Sequence, residues 1–130
     1  MPGLNRYSEQ IFLVLRLVAG LMFAVHGLMK FGMFGGESMT GVPLMLAAAL
    51  IEVVGGLMIA LGFFGDFAAF VASGEMAVAF FMAHAKDGLN PVTNHGENAV
   101  LYCFLFLYIA ARGTGRYSID RGMRHLGASR

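Results

Sequence analysis

Ionisable residues sit where this chain is otherwise apolar: Arg16, His26, Lys30, Glu52, Glu75, His84, His95 and Glu97. Charge inside hydrocarbon is costly, so such residues face a bundle interior or a wet cavity, and each is a candidate site residue. Glu52 and Glu75 fall near the middle of their apolar runs, and Arg16 a few residues inside its own. Two acids and one base leave a carboxylate over, and a leftover buried carboxylate tends to hold a proton or relay one. The same three residues also suit a buried ionic clamp that fixes helix register, and both readings stay open. Histidine as a residue type can exchange protons near neutral pH, so His26 and His84, with Glu52 and Glu75, form the catalytic candidates. Arg16, Lys30, His95 and Glu97 are the candidates for holding a bound group, with His26, Lys30, His84, His95 and Glu97 gathered toward one surface.

The elements that carry these residues follow from apolar runs at Ile11 to Met29, Val42 to Phe64, Phe67 to Ala85 and Ala99 to Ala111. Hydrophobic residues make up 58% and charged ones 13% of 130 residues. With a mean hydropathy of +0.69, that points to lipid as the solvent. The first three runs are long enough to cross about 30 Å of hydrocarbon. The fourth reaches that length if Asn94 caps the helix and "NHGE" acts as a capping box. Loops rich in Gly, Pro and Asn, "GMFGGESMTGVP" and "KDGLNPVTN", divide the runs, and "GFFGDF" reads as a tight turn.

The expected fold is therefore an all-α membrane protein. It is a single domain, 1–130, forming an up-down bundle of four transmembrane helices at about 10–30, 42–64, 67–85 and 95–112, with a basic tail at 113–130. Arg6, Arg112, Arg116, Arg121, Arg124 and Arg130 lie near one set of span ends, which predicts cytoplasmic N- and C-termini. In the tail Ile119, Met123 and Leu126 recur on one side, the pattern of an interfacial helix; a disordered tail is the alternative. The first run is broken by Arg16 and lacks a clear cleavage site, so it reads as a retained span.

Small residues position the acids. Glu52 shares a helical stripe with Ala48, Gly55, Gly56 and Ile59, and Glu75 with Ala68, Ala72, Ala79 and Ala83. Such stripes let helices approach closely, which points both glutamates into helix interfaces. Glu75 and His84 are nine residues apart, about 13.5 Å along a helix and on opposite sides of it, so each needs partners from other helices.

Other chemistries are set aside on composition. A net charge of +1 and the lack of a phosphate loop or RNA-binding signature leave no case for a nucleic-acid partner. The single Cys103 excludes dithiol chemistry within the chain. His26 with His84 could ligate haem, and His with Met could hold copper, yet no HxxxH, HExxH or His-Met ladder supports a metal site.

Four strings, "LRLVAGLMFAVHGLMKF", "LIEVVGGLMIALGFF", "NPVTNHGENAVLY" and "GTGRYSIDR", together resemble the DoxX family of small four-span membrane proteins. The resemblance covers nearly the whole chain and carries over onto Arg16, His26, Lys30, Glu52 and Glu97. It implies redox work at a bacterial inner membrane, as a multi-pass quinol oxidase or thiosulfate:quinone oxidoreductase-like subunit. The implied cofactor is a quinone, or a similar small aromatic, held within the bundle. The lipid bilayer, a redox partner subunit and a second copy of the chain are the expected partners; close packing between copies would use faces such as Gly20 and Gly27. A non-enzymatic scaffold for a soluble oxidoreductase, or a His-ligated haem or copper protein, is the alternative.

Overall fold

The computed structural model describes residues 3–128, and Arg130, counted above with the basic tail, lies outside them. The described chain forms five continuous helical segments and no strand. They are α1 (Asn5–Lys30), α2 (Pro43–Leu61), α3 (Gly65–Asp87), α4 (Glu97–Arg112) and α5 (Ile119–Ala128).

Each boundary has a local cause. Pro43 occupies the first turn of α2, where its missing N–H is no loss. Gly62, at φ +67°, adopts the left-handed conformation that ends α2. The turn into α3 is short. α4 starts at Glu97 with Gly96 in the cap position, so Asn94 is not the helix cap expected from "NHGE". Asn94 is instead buried in the preceding loop, where its Oδ1 accepts the Gly96 N–H at 2.8 Å and its Nδ2 donates to the Gly88 carbonyl at 2.7 Å.

Two helices contain a wide turn of π type, at Ile51–Gly55 in α2 and at Phe80–His84 in α3. One includes Glu52 and the other ends at His84. Such turns insert a residue into the helical ladder and recur at functional sites.

α1 and α2 pack backbone to backbone. A Cβ added to Gly20 would lie 2.5 Å from the Gly56 carbonyl oxygen, and one added to Gly27 would lie 2.7 Å from the Ala49 carbonyl oxygen. Both glycines are consumed inside the bundle, so they are not the free faces for packing against another copy that the sequence suggested. α4 lies against α3 and completes the core through Phe106 and Ile109, both fully buried with Phe23 and Ile59. The Phe23 and Phe106 rings meet edge to face at 4.7 Å. Phe67, Phe70, Phe81, Leu101 and Phe104 face outward and are exposed, as a lipid solvent permits.

The expectation of four transmembrane helices is corrected. Among the described residues, α1, α2 and α3 are long and apolar enough to cross a membrane, and α4 is not. Its 16 residues extend about 24 Å, short of a hydrocarbon layer of about 30 Å. The helix stops there because Gly113 ends it at φ +81° and the polar "GTGRYS" segment follows. Cytoplasmic N- and C-termini were expected from basic residues near one set of span ends in a four-span bundle, and the span count in that expectation is the part corrected. The chain ends do share one end of the bundle: Glu9, near the start of α1, pairs with Arg112 at the end of α4 at 2.5 Å.

Candidate functional site

Glu52 is 3% exposed, between α1 and α2 at the level of the wide turn. Its Oε2 lies 2.5 Å from Lys30 Nζ at the end of α1. Glu75 comes to the same place from α3, close enough to interact with the Glu52 carboxyl and the Lys30 ammonium. Its Oε2 is buried and meets no N–H or O–H donor, although the Glu52 carboxyl lies within hydrogen-bonding reach of the Glu75 carboxyl. Three helices thus bring two carboxyl groups and one ammonium together, and one carboxyl oxygen has an unused acceptor site. The base that meets the acids is Lys30, which the sequence reading had placed with the outer histidines.

Arg16 is not part of this group. It is 1% exposed and turns toward the C-terminal segment, where Nη1 donates to the Thr114 carbonyl and Nη2 to the Tyr117 carbonyl at 2.7 Å. Asp120 lies near enough to act on its charge. Asp120 also accepts the Phe64 N–H at 2.8 Å and the Gly65 N–H at 3.3 Å, which caps the start of α3. The "GTGRYSID" string therefore folds over the α2–α3 turn and latches Arg16. The space is tight: a Cβ on Gly62 would lie 2.7 Å from Arg16 Nη1. The proposed clamp of Arg16 with Glu52 and Glu75 does not form.

The histidines are dispersed. His26 is exposed and meets the Tyr102 ring edge-on at 6.0 Å. It precedes Lys30 by four residues, so the two share one face of α1. His84 is half-buried, stacks on Phe80 and places Nδ1 3.1 Å from the Asn94 carbonyl oxygen. His95 and Glu97 are exposed, and His95 holds a left-handed φ of +60° in the loop. Among the described residues no hydrogen bond or ion pair joins His26, His84, His95 and Glu97 into the outer cluster. Nor do three His, Cys, Asp or Glu side chains converge as a metal site among the described residues.

A family model described as DoxX matches residues 11–85, more than half of the chain. The chain belongs to the DoxX family. A Haemophilus influenzae relative, named only as an uncharacterized protein, is 40% identical over 128 residues, spanning 92% of this chain and 96% of its own. No solved structure matches. The DoxX match takes in Arg16, His26, Lys30, Glu52, Glu75 and His84, and ends before α4 and the latch segment. As a DoxX protein this chain has three long apolar helices in place of the four spans that the resemblance implied.

The sequence missed Asp120 and Thr114 as working residues, although the string that holds them was recognised. The signal was present in "GTGRYSID": small residues that precede a Ser and an Asp after the last apolar run are what a backbone-capping segment requires.

Proposed function

We propose that this DoxX protein is the membrane subunit of a redox enzyme and holds a quinone or quinol headgroup beside Lys30, Glu52 and Glu75. The carrying observation is the buried Glu75 oxygen that no N–H or O–H donor satisfies, next to an ammonium and a second carboxyl in an apolar interior. Such a set fits a headgroup that offers a hydroxyl or carbonyl to each side. A bound quinone would supply two-electron, two-proton redox chemistry, with electrons from a partner subunit that carries the donor.

The chain's own residues would orient the headgroup and manage protons. The Lys30 ammonium donates a hydrogen bond at one edge, and the open Glu75 oxygen accepts one at the other. Lys30 is half-buried at the end of α1, one turn beyond the exposed His26, which gives protons a route between the buried pair and water. The Haemophilus relative and the helical, multi-pass fold support a bacterial inner membrane as the location.

The test is equilibrium binding of a short-chain ubiquinol, whose hydroxyls can donate to Glu75 and accept from Lys30, to the purified full chain in neutral detergent, for wild type, Glu75→Gln and Lys30→Met. Loss of one hydrogen bond to a charged group predicts affinity falling by roughly tenfold or more in each variant. Folded variants that bind as tightly as wild type would remove the site. A wild type that binds no quinol and copurifies only with a soluble oxidoreductase would replace this reading with a scaffold.

A further inference from the structure

The groove that carries the next inference lies at the latch end, away from the carboxyl site. It encloses about 570 Å³. Arg112, Arg116, Arg121, Arg124 and His125 line it, with Glu9 and Asp66 as the acids that face them. Arg112 pairs with Glu9 and lies over the Phe12 ring at 3.7 Å, yet its Nη1 is buried without a hydrogen-bond partner. Among the described residues Arg116, Arg121 and Arg124 form no ion pair. Four guanidinium groups against two acids leave a net positive groove with an unsatisfied donor.

Helix α5 supplies half of that charge and has a second face. Arg121, Arg124 and His125 turn toward the groove, whereas Ile119, Met123 and Leu126, spaced four and three residues apart, lie on the opposite side and are exposed. That division of apolar and basic faces suits a helix lying in a membrane interface. Its position agrees: the groove adjoins the start of α1 and the α2–α3 turn, where three membrane-crossing helices end and lipid headgroups begin.

We propose that this groove binds the phosphodiester headgroup of an anionic phospholipid from the surrounding bilayer, with α5 lying in the headgroup layer beside it. Arginine matches phosphate oxygens with paired N–H donors, and the lipid phosphate answers the charge that Glu9 and Asp66 leave over. The acyl chains continue along the exposed apolar surface of the bundle. The lipid would hold the latch segment against the membrane, independently of any quinone.

Native mass spectrometry of the full chain in neutral detergent tests this. Wild type is loaded with phosphatidylglycerol or phosphatidylcholine and compared with Arg121→Ala/Arg124→Ala and Arg121→Lys/Arg124→Lys. Both arginines are exposed, so the melting temperature should hold in all forms. Wild type should retain phosphatidylglycerol in preference to phosphatidylcholine by roughly tenfold, the alanine pair should lose that preference, and the lysine pair should keep most of it. Equal retention of the two lipids by wild type, or an undiminished preference in the alanine pair, would overturn the proposal. A large excess of inorganic phosphate distinguishes the sources: lipid adducts that persist support a lipid site, and adducts displaced by that excess make it a free-phosphate site and overturn the lipid assignment.

Discussion

At the latch end, the Arg16 guanidinium meets two backbone carbonyls and lies near Asp120, which in turn caps the next helix. Deeper in the bundle, Lys30 meets Glu52 while Glu75 leaves an oxygen without a partner. Both regions bury charge, but their surroundings differ. Around Arg16 only Nε lacks a partner, and the carbonyls it holds belong to a segment that Glu9 also fastens, by accepting the Arg116 N–H. Around Glu75 the imbalance is in partners, since two carboxyl groups share one ammonium. A buried charge whose neighbours need it is a structural fastening, and a buried carboxyl left over from its neighbours' pairing is available for chemistry.

The largest expected effect follows from the first half of that contrast. Arg16→Leu removes the donor to Thr114 and Tyr117 and leaves Asp120 without its cation, so thermal unfolding in detergent should show a loss of about 3–5 kcal/mol. A melting curve that superimposes on wild type would mean the latch closes without Arg16, and the contrast between the regions would fail.

A smaller effect sharpens the comparison at the other region. Lys30→Met strands two neighbouring carboxyls, and because Lys30 is partly solvated the loss should be about 1–2 kcal/mol. Pairing it with Glu52→Gln removes one of the stranded acids and should restore part of that loss, since residues in direct contact couple. Additive losses in the unfolding midpoint would show that the 2.5 Å pair is not a working contact.

Much of this architecture was legible because it depends on local pattern. Apolar runs and Gly-Pro-Asn loops located the first four helices to within about five residues, the tail helix was one of two readings, and the small-residue stripe around Glu52 pointed it into a helix interface. The partners of the charges were not legible, because pairing between helices depends on depth and rotation, which hydropathy does not encode. Arg16 was assigned to the midplane acids from its distance along the span, yet the long guanidinium reaches the other way, toward a segment a hundred residues later. The wide turns at Ile51–Gly55 and Phe80–His84 add to the difficulty, since each shifts the phase of every residue beyond it relative to an ideal helix. The fourth crossing failed for a different reason: the apolar pattern of α4 was read correctly, but extending it depended on Asn94 as a cap, and Asn94 is held in the loop.

The smallest effect has the opposite sign and bears most directly on function. Glu75→Gln keeps the shape of the side chain and removes the carboxyl that competes with Glu52 for Lys30. Its amide nitrogen can donate toward the Glu52 carboxyl, and its oxygen can still accept from Lys30. The leftover carboxyl disappears without opening a cavity, so stability should stay level or rise by up to about 1 kcal/mol. Quinol affinity should fall in the same variant, because the open carboxyl oxygen that a quinol hydroxyl could reach is lost. A stabilised protein that no longer binds quinol would separate the two kinds of buried charge within one molecule. A clear loss of stability with unchanged binding would place Glu75 with Arg16, as one more fastening of the bundle.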